Sequence, residues 1–302
     1  MGTGRRVIKQ LLGVARVNFL SLTVVCIALA AAASWYEGAP FQPQRLALVL
    51  ALGLCAHISV NAFNEYFDFK SGLDMLTHRT PFSGGSGTLV AHPDASQLTL
   101  NLAVSSLLAL IVGGSYLAFT LGWQLLWFGV PGVLLIFGYT QYINRWPWLC
   151  LLAPGAGFGL LMTLGAYWVL ADSLDLVAVV LSVIVTLLVS NLLLLNQFPD
   201  VEADREVGRR HLPITIGRRS SAVVFTVLAS SAYLLLMIAV MFNVLPWQCL
   251  LALLTLPLLA KLLPGIFRFA EQPAELTPYL AINVVLCHVY PILLTTGLVW
   301  AA

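Results

Sequence analysis

Runs of mainly apolar residues long enough to cross a membrane recur along the whole chain. A helix needs about 20 such residues to span the ~30 Å hydrocarbon core of a bilayer. Of the 302 residues, 60% are hydrophobic and only 9% are charged, whereas soluble proteins carry roughly a quarter charged residues. These features exclude an ordinary soluble fold and predict an all-α, polytopic membrane protein.

Reading the apolar runs against the Pro, Gly and charged residues that interrupt them predicts nine membrane spans. No segment between them has the composition of a soluble domain, so we expect residues 1–302 to form a single integral membrane domain. The predicted spans are 17–36, 45–67, 97–120, 123–142, 147–170, 174–197, 220–242, 247–268 and 278–300.

Basic residues predict the orientation of the spans. They precede the first span and occupy every second connection after it, whereas the alternate connections hold only Arg45. Since Lys and Arg are enriched in cytoplasmic loops, we expect a cytoplasmic N-terminus and an external C-terminus. The cell membrane, the inner membrane where there are two, is the expected location.

Two acidic segments leave the membrane on the predicted cytoplasmic side. The first, NAFNEYFDFKSGLD, covers residues 61–74 and closes the second span. Its residues Asn61, Asn64 and Asp68 share one helical stripe with His57, and Asp74 follows from the loop. Such a polar stripe is expected to face protein or water rather than lipid.

The second acidic segment, NQFPDVEADREVGRR, covers residues 196–210 and closes the sixth span. Asn196, Asp200 and Asp204 are spaced to share one face of an extended helix end, although Pro199 must disturb that helix. Both segments contain Asn-x-x-x-Asp, a weak internal echo that suggests that the two acidic groups face one another.

The clustered carboxylates predict a divalent cation. Four neighbouring aspartates repel one another unless a cation neutralises them, and hard oxygen donors suit Mg²⁺. Mg²⁺ often shares its carboxylates with substrate phosphates. The nearby cations, which suit phosphate oxygens, indicate a phosphate or diphosphate ligand; they are Lys70, Arg79, Arg205, Arg209 and Arg210.

The connection between the two acidic segments contains RTPFSGGSGTL, residues 79–89. Its glycines would let the backbone approach a ligand closely or form an anion-holding turn. A flexible connector explains the same composition equally well, so both interpretations stay open.

With these motifs, the chain resembles the UbiA superfamily of intramembrane prenyltransferases. The spacing of Asn64, Asp68 and Asp74 in NEYFDFKSGLD, and the segment NQFPDVEADREVGRRHLPITIG, look most like the menaquinone-pathway branch, the 1,4-dihydroxy-2-naphthoate prenyltransferases. The resemblance covers nearly the whole chain. It implies nine helices around a central cavity that opens to lipid.

The resemblance also implies two Mg²⁺ ions and roles for individual residues. Asp68, Asp74, Asp200 and Asp204 would hold the metal ions and serve catalysis. Lys70, Arg79 and Arg205 would bind the donor diphosphate together with Asn64 and Asn196. Tyr139, in GYTQYINRWP, would approach the reactive allylic carbon.

The implied reaction is Mg²⁺-dependent transfer of a polyprenyl group from a polyprenyl diphosphate to an aromatic acceptor. The acceptor is expected to be 1,4-dihydroxy-2-naphthoate or a related quinone precursor. One alternative is transfer to 4-hydroxybenzoate, homogentisate or a glyceryl phosphate ether. The other is a transporter, since carboxylates in membrane helices can also mark an ion path. Lipid is an expected partner and nucleic acid is not.

Overall fold

The fold is known from a computed structural model that describes residues 2–302. Nine of the helices in that range are long and apolar enough to cross a membrane, namely α2, α3, α6, α7, α8, α9, α12, α13 and α14. The helices run as α1 (Gly2–Val14), α2 (Val17–Tyr36), α3 (Pro43–Ser71), α4 (Leu73–Leu76), α5 (Thr88–Ala91), α6 (Pro93–Leu121), α7 (Trp123–Gln141), α8 (Pro147–Ala171), α9 (Leu176–Asn196), α10 (Val201–Glu206), α11 (Leu212–Ile216), α12 (Arg218–Met241), α13 (Trp247–Phe269) and α14 (Pro273–Ala301).

The predicted all-α architecture with nine spans is confirmed, with differences at the helix ends. The sequence predicts that the second span ends at residue 67, but the last residue of α3 is Ser71. Gly72, which follows it, has a φ of +80°. Glycine is the usual residue in this left-handed conformation after a helix. Asp68 and Lys70 therefore lie on the last turns of the helix rather than beyond it.

The spanning helices pack in a closed order. Helix α2 packs against α3, α3 against α6 and α7, and α7 against α8. Helix α8 then packs against α9, which packs against α12, and α13 and α14 lead back to α2. One large cluster of buried apolar side chains runs from Leu22 in α2 to Leu298 in α14. Helix α9 is the most buried of the nine, whereas α6 and α7 are the least buried.

Helix α8 changes its winding in the middle of the membrane. Between Gly157 and Thr163 it is a π-helix, and the Thr163 hydroxyl donates a hydrogen bond of 2.7 Å to the Phe158 carbonyl oxygen. Pro154, which cannot donate a backbone hydrogen bond, precedes this turn. The widened turn contributes Phe158 and Met162 to the wall of a central cavity.

Candidate active site

The central cavity lies among helices α2, α3, α6, α7 and α8 and has a volume of about 580 Å³. Its walls are mainly apolar, and Arg16, Asn61 and Asn64 line it at the end where the two acidic segments emerge. Val49, also in the wall, lies about 22 Å from Asn64 along α3 at a rise of about 1.5 Å per residue. The cavity is therefore a long apolar chamber with a polar end.

The predicted polar stripe on α3 faces this chamber. His57, Asn61 and Asn64 all line the cavity. The Asn64 side-chain amide donates a hydrogen bond of 2.9 Å to Asp68 Oδ2. The His57 ring is also fixed, because its Nδ1 lies 2.9 Å from the Thr23 hydroxyl.

Arg209 joins the two acidic segments. Its guanidinium forms an ion pair with Asp68 from the first segment and a 2.9 Å ion pair with Asp204 Oδ1 from the second. Asp204 Oδ2 lies 2.8 Å from His211 Nε2. Neighbouring carboxylates hold the pKa of Arg209 above its usual value, although burial opposes this. The acidic segments thus meet at one place, around one arginine.

Asp74 lies beside the glycine-containing connection. This residue is on the short helix α4, not in a loop, and its side chain is buried. A Cβ atom added to Gly85 would lie 3.0 Å from Asp74 Oδ1, and the φ of Gly85 is +73°. Burial, with smaller contributions from Asp68 and Glu65, raises the pKa of Asp74 to about 7. The connection therefore packs over the acidic site, and glycine is required for this approach.

The second acidic segment is not one extended helix end as predicted. Helix α9 ends at Asn196, and Asp200 directly precedes the separate helix α10. Pro199 cannot donate the hydrogen bond that a continuous helix would need. Asp204 is buried on α10. Burial, followed by the charge of Asp204, raises the pKa of Asp200 to about 7, while Arg209, and after it Ser83 and Gly84 of the connection, act in the opposite direction.

A buried ion pair, which the sequence did not reveal, holds the connection to α3. Glu65 is fully buried and lies 2.6 Å from Arg16, whose guanidinium also donates a 2.9 Å hydrogen bond to Asn64. The backbone amide of Ser86 and its hydroxyl each donate a 2.7 Å hydrogen bond to Glu65. Glu65 stood out only as an acid within an apolar helix.

His211 was not among the predicted site residues either. Its side chain is almost fully buried against Asp204. The only sequence signal was a histidine seven positions after an aspartate, a spacing typical of no particular motif. Arg16 directly precedes the first predicted span, and the sequence indicates for it only a contribution to the predicted orientation.

The remaining predicted residues lie around the site at different depths. Tyr139 lines the cavity, and its hydroxyl lies 3.7 Å from Cys150 Sγ. Lys70 is exposed and lies over the Tyr66 ring. Arg79 is exposed and packs against Gly87. It is close enough to Asp74 for its positive charge to oppose the rise in the pKa of that carboxyl. Arg205 is exposed and pairs with Glu202 at 3.0 Å. The structure thus brings Arg209, rather than Arg205, to the carboxylates.

The donor set at this place suits Mg²⁺ if a ligand shares the coordination. Within the described range, no three acidic, histidine or cysteine side chains are close enough to hold an ion by themselves. Among the described side chains of the two acidic segments, however, three buried oxygen atoms have no hydrogen-bond partner: Asp74 Oδ2, Asn196 Oδ1 and Asp200 Oδ1. All are hard donors of the kind that Mg²⁺ combines with phosphate oxygens.

Comparison with known proteins agrees with this geometry. The sequence profile described as the UbiA prenyltransferase family matches residues 23–279. The chain belongs to the UbiA prenyltransferase family. The predicted resemblance is thereby confirmed, and with it the assignment of the chain as an integral membrane protein.

Two curated relatives come from the expected branch. The chain is 26% identical over 190 residues to a 1,4-dihydroxy-2-naphthoate octaprenyltransferase of Bacillus subtilis, covering 60% of this chain and 58% of the relative. It is 24% identical over 269 residues to the protein of the same name from Haemophilus influenzae, covering 87% of each. The first alignment spans less than two thirds of the Bacillus protein.

Solved structures share the fold. A UbiA homologue from Aeropyrum pernix superposes with a TM-score of 0.68 at 16% identity, covering 92% of this chain and 97% of that one. A UbiA homologue from Archaeoglobus fulgidus, bound to DMAPP and Mg²⁺, superposes with a TM-score of 0.58 at 12% identity, covering 95% and 99%.

Proposed function

We propose that this UbiA-family protein transfers a polyprenyl group from a polyprenyl diphosphate to an aromatic acceptor in an Mg²⁺-dependent reaction. The observation that carries the proposal is the meeting of Asp68 and Asp204 at Arg209, beside a long apolar cavity whose polar end is lined by Asn64, the hydrogen-bond partner of Asp68. A diphosphate with an apolar tail has the same division into a charged head and a hydrophobic chain.

Asp68, Asp74, Asp200 and Asp204 are the proposed Mg²⁺ ligands, supported by the unpartnered oxygens of Asp74 and Asp200. Asn196, four positions before Asp200 in the second acidic segment, adds a third unpartnered oxygen. The number of ions proposed is two, one for each acidic segment. Bound Mg²⁺ would neutralise charge on the diphosphate as a leaving group. The Mg²⁺ in the Archaeoglobus homologue supports this assignment.

Cations of the chain itself are proposed to bind the donor head. Arg16 lines the polar end of the cavity, and Arg209 lies next to it on Asp68. Both carry the fork-like donors that match phosphate oxygens. Each is held by carboxylates, so its position is fixed before a ligand arrives. Lys70 and Arg79 remain proposed ligands for the outer phosphate, because both are exposed beside the site.

The apolar walls serve the reaction by excluding water. An allylic carbon that loses its diphosphate becomes a carbocation, and water would react with this cation before the acceptor does. Tyr139 lies in the wall, where its aromatic face can stabilise that charge. The ring of an electron-rich acceptor then forms the new carbon–carbon bond and releases a proton.

The proposed acceptor is 1,4-dihydroxy-2-naphthoate or a related quinone precursor. This assignment is supported by the names of the two relatives and by the spacing of Asn64, Asp68 and Asp74. Transfer to 4-hydroxybenzoate, homogentisate or a glyceryl phosphate ether is the alternative within the same reaction class.

Purified protein in detergent or lipid should be incubated with a radiolabelled polyprenyl diphosphate, Mg²⁺ and each acceptor in turn, and the lipid product identified by mass. We expect prenylated naphthoate only when Mg²⁺ is present. Asp68→Asn and Asp200→Asn should each lower turnover by at least about 100-fold while the protein stays folded at the assay temperature. Full activity in both variants would refute the metal roles, and product from another acceptor alone would refute the naphthoate assignment.

We also propose that the N-terminus and the acidic site face the cytoplasm and that the C-terminus lies outside. The basic residues of alternate connections support this orientation. Single cysteines placed at Gly4 and Ala302 of a cysteine-free variant would test it in intact cells. A membrane-impermeant thiol reagent should label the cysteine at position 302 and not the one at position 4. The opposite labelling would show that the topology is the reverse of the one proposed.

A further inference from the structure

A second cavity lies outside the active site, at the membrane boundary between α7 and α8. It has a volume of about 880 Å³. Arg145 and Arg210 line it, together with the aromatic residues Tyr142 and Trp146. Its walls come from two connections, one between α7 and α8 and one between α10 and α12.

The two arginines of this cavity differ from most others in the chain. Within residues 4–302, neither forms an ion pair with an acidic side chain, whereas six other arginines do so: Arg6, Arg16, Arg45, Arg205, Arg209 and Arg218. Both guanidinium groups are on exposed residues. Two positive charges therefore face one cavity, and no acidic side chain of the described residues pairs with either of them.

The cavity is a built feature of the fold. The Arg210 backbone amide donates a 3.0 Å hydrogen bond to the Asn144 carbonyl oxygen, which joins the two walls. Asn144 is buried, and its amide is bonded to the Thr140 carbonyl oxygen at the end of α7. On the other wall, the buried His211 holds the segment through Asp204. The arginines thus project from two anchored backbones.

The surroundings of the cavity match the interface of a bilayer. Helix α7 ends at Gln141 and α8 begins at Pro147, so Tyr142 and Trp146 lie where two spans leave the membrane. Both side chains are largely exposed, as is the neighbouring Trp148. Exposed Trp and Tyr at this depth are typical of the headgroup region.

We propose that this cavity binds the headgroup of an anionic phospholipid, with Arg145 and Arg210 on the phosphate. Arginine forks bind phosphate oxygens in pairs, and basic pockets at the cytoplasmic ends of membrane helices are suited to anionic headgroups. Tyr142, Trp146 and Pro147 supply the apolar surface that the upper acyl chain of a lipid would cover. A free phosphate ion would use the arginines but leave this apolar surface exposed.

Native mass spectrometry of the full-length protein in detergent would test the site, with titration of phosphatidylglycerol and, separately, phosphatidylcholine. We expect the Arg145→Gln/Arg210→Gln variant to bind the first phosphatidylglycerol roughly 30-fold more weakly than the wild type. The control Arg219→Gln/Arg268→Gln removes two exposed charges from the same membrane face and should change binding less than about threefold.

Equal losses in both double variants would assign binding to diffuse charge and overturn the proposal, as would tight binding of phosphatidylcholine. Displacement of the lipid by excess inorganic phosphate would reassign the cavity to a free anion. A photoactivatable phosphatidylglycerol gives a readout that does not depend on a variant's folding. In the wild type it should label residues 142–147 and 207–215, and labelling confined to other segments would refute the site.

Discussion

Arg209 and Asp68, 141 positions apart in the chain, form an ion pair. The same guanidinium binds Asp204, so a single side chain holds the two acidic segments together beside the polar end of the cavity. Removing one partner from a buried charge network lowers the free energy of unfolding more than removing an exposed ion pair does, because the remaining buried charges stay desolvated. This difference makes the network testable.

Arg209→Gln should destabilise the metal-free protein by about 3–5 kcal/mol. The change leaves the buried Asp68 and Asp204 carboxylates without their shared cation. Arg205→Gln is the matched control, since Arg205 pairs with Glu202 on the surface and should cost less than about 1 kcal/mol. Denaturant or thermal unfolding in detergent measures both. Similar losses in the two variants would show that Arg209 does not bridge the segments.

Glu65→Gln should release the connection that packs over the site. The variant loses the charge that holds Arg16 and weakens the hydrogen bonds from Ser86. We expect hydrogen exchange of the backbone amides in residues 84–88 to become at least tenfold faster, because local opening exposes them. Asp94→Asn, which breaks the exposed pair with Arg6, should leave that exchange unchanged. Protection equal to wild type in Glu65→Gln would contradict the anchoring role.

The metal-free protein should become less stable as the pH rises from 5 to 8. Burial raises the pKa values of Asp74 and Asp200 from 3.8 to about 7. Between these values the folded protein keeps protons that the unfolded chain has released, so the free energy of unfolding falls with rising pH. The melting temperature, measured in the presence of a chelator, should show this trend.

The Asp74→Asn/Asp200→Asn variant provides the comparison for the pH measurement. Since its side chains do not titrate, the decline in melting temperature above pH 5 should be smaller than in the wild type. An identical pH profile in the two proteins would show that these carboxyls keep ordinary pKa values.

Gly114→Leu should shorten the prenyl donors that the enzyme accepts. Gly114 lines the cavity, and an added Cβ meets no atom within 4 Å, so a larger side chain would enter the open space. The neighbouring Gly113 faces Leu52, which lies about 18 Å along α3 from Asn64. The obstruction is therefore far from the diphosphate end.

We expect Gly114→Leu to lower kcat/KM at least tenfold for an octaprenyl donor and less than threefold for a geranyl donor, by the cost of misplacing a substrate. Leucine favours the helix over glycine, so folding should be retained. Gly4→Leu, whose added Cβ also meets no atom within 4 Å but which lies in α1, is the control. An equal loss of kcat/KM for both donors would show that the prenyl chain does not lie along Gly114 in the cavity.

The sequence by itself determined the membrane architecture. Apolar length alone sets where a helix can cross a bilayer, and all nine spans were found within a few residues of their observed ends. The helical period likewise placed Asn64 and Asp68 on one face, where a direct hydrogen bond now joins them. The family was evident from local motif spacing.

Only the tertiary structure decided which charged residues meet. Arg205 and Arg209 are both close to Asp204 in sequence, but the separate helix α10 turns Arg205 toward Glu202 while Arg209 reaches Asp68. The pairing of Arg16 with Glu65 joins two elements that no local pattern connects. Burial and charge pairing depend on distances in space, which are set only when the helices pack. Membrane crossing, in contrast, depends on consecutive residues alone.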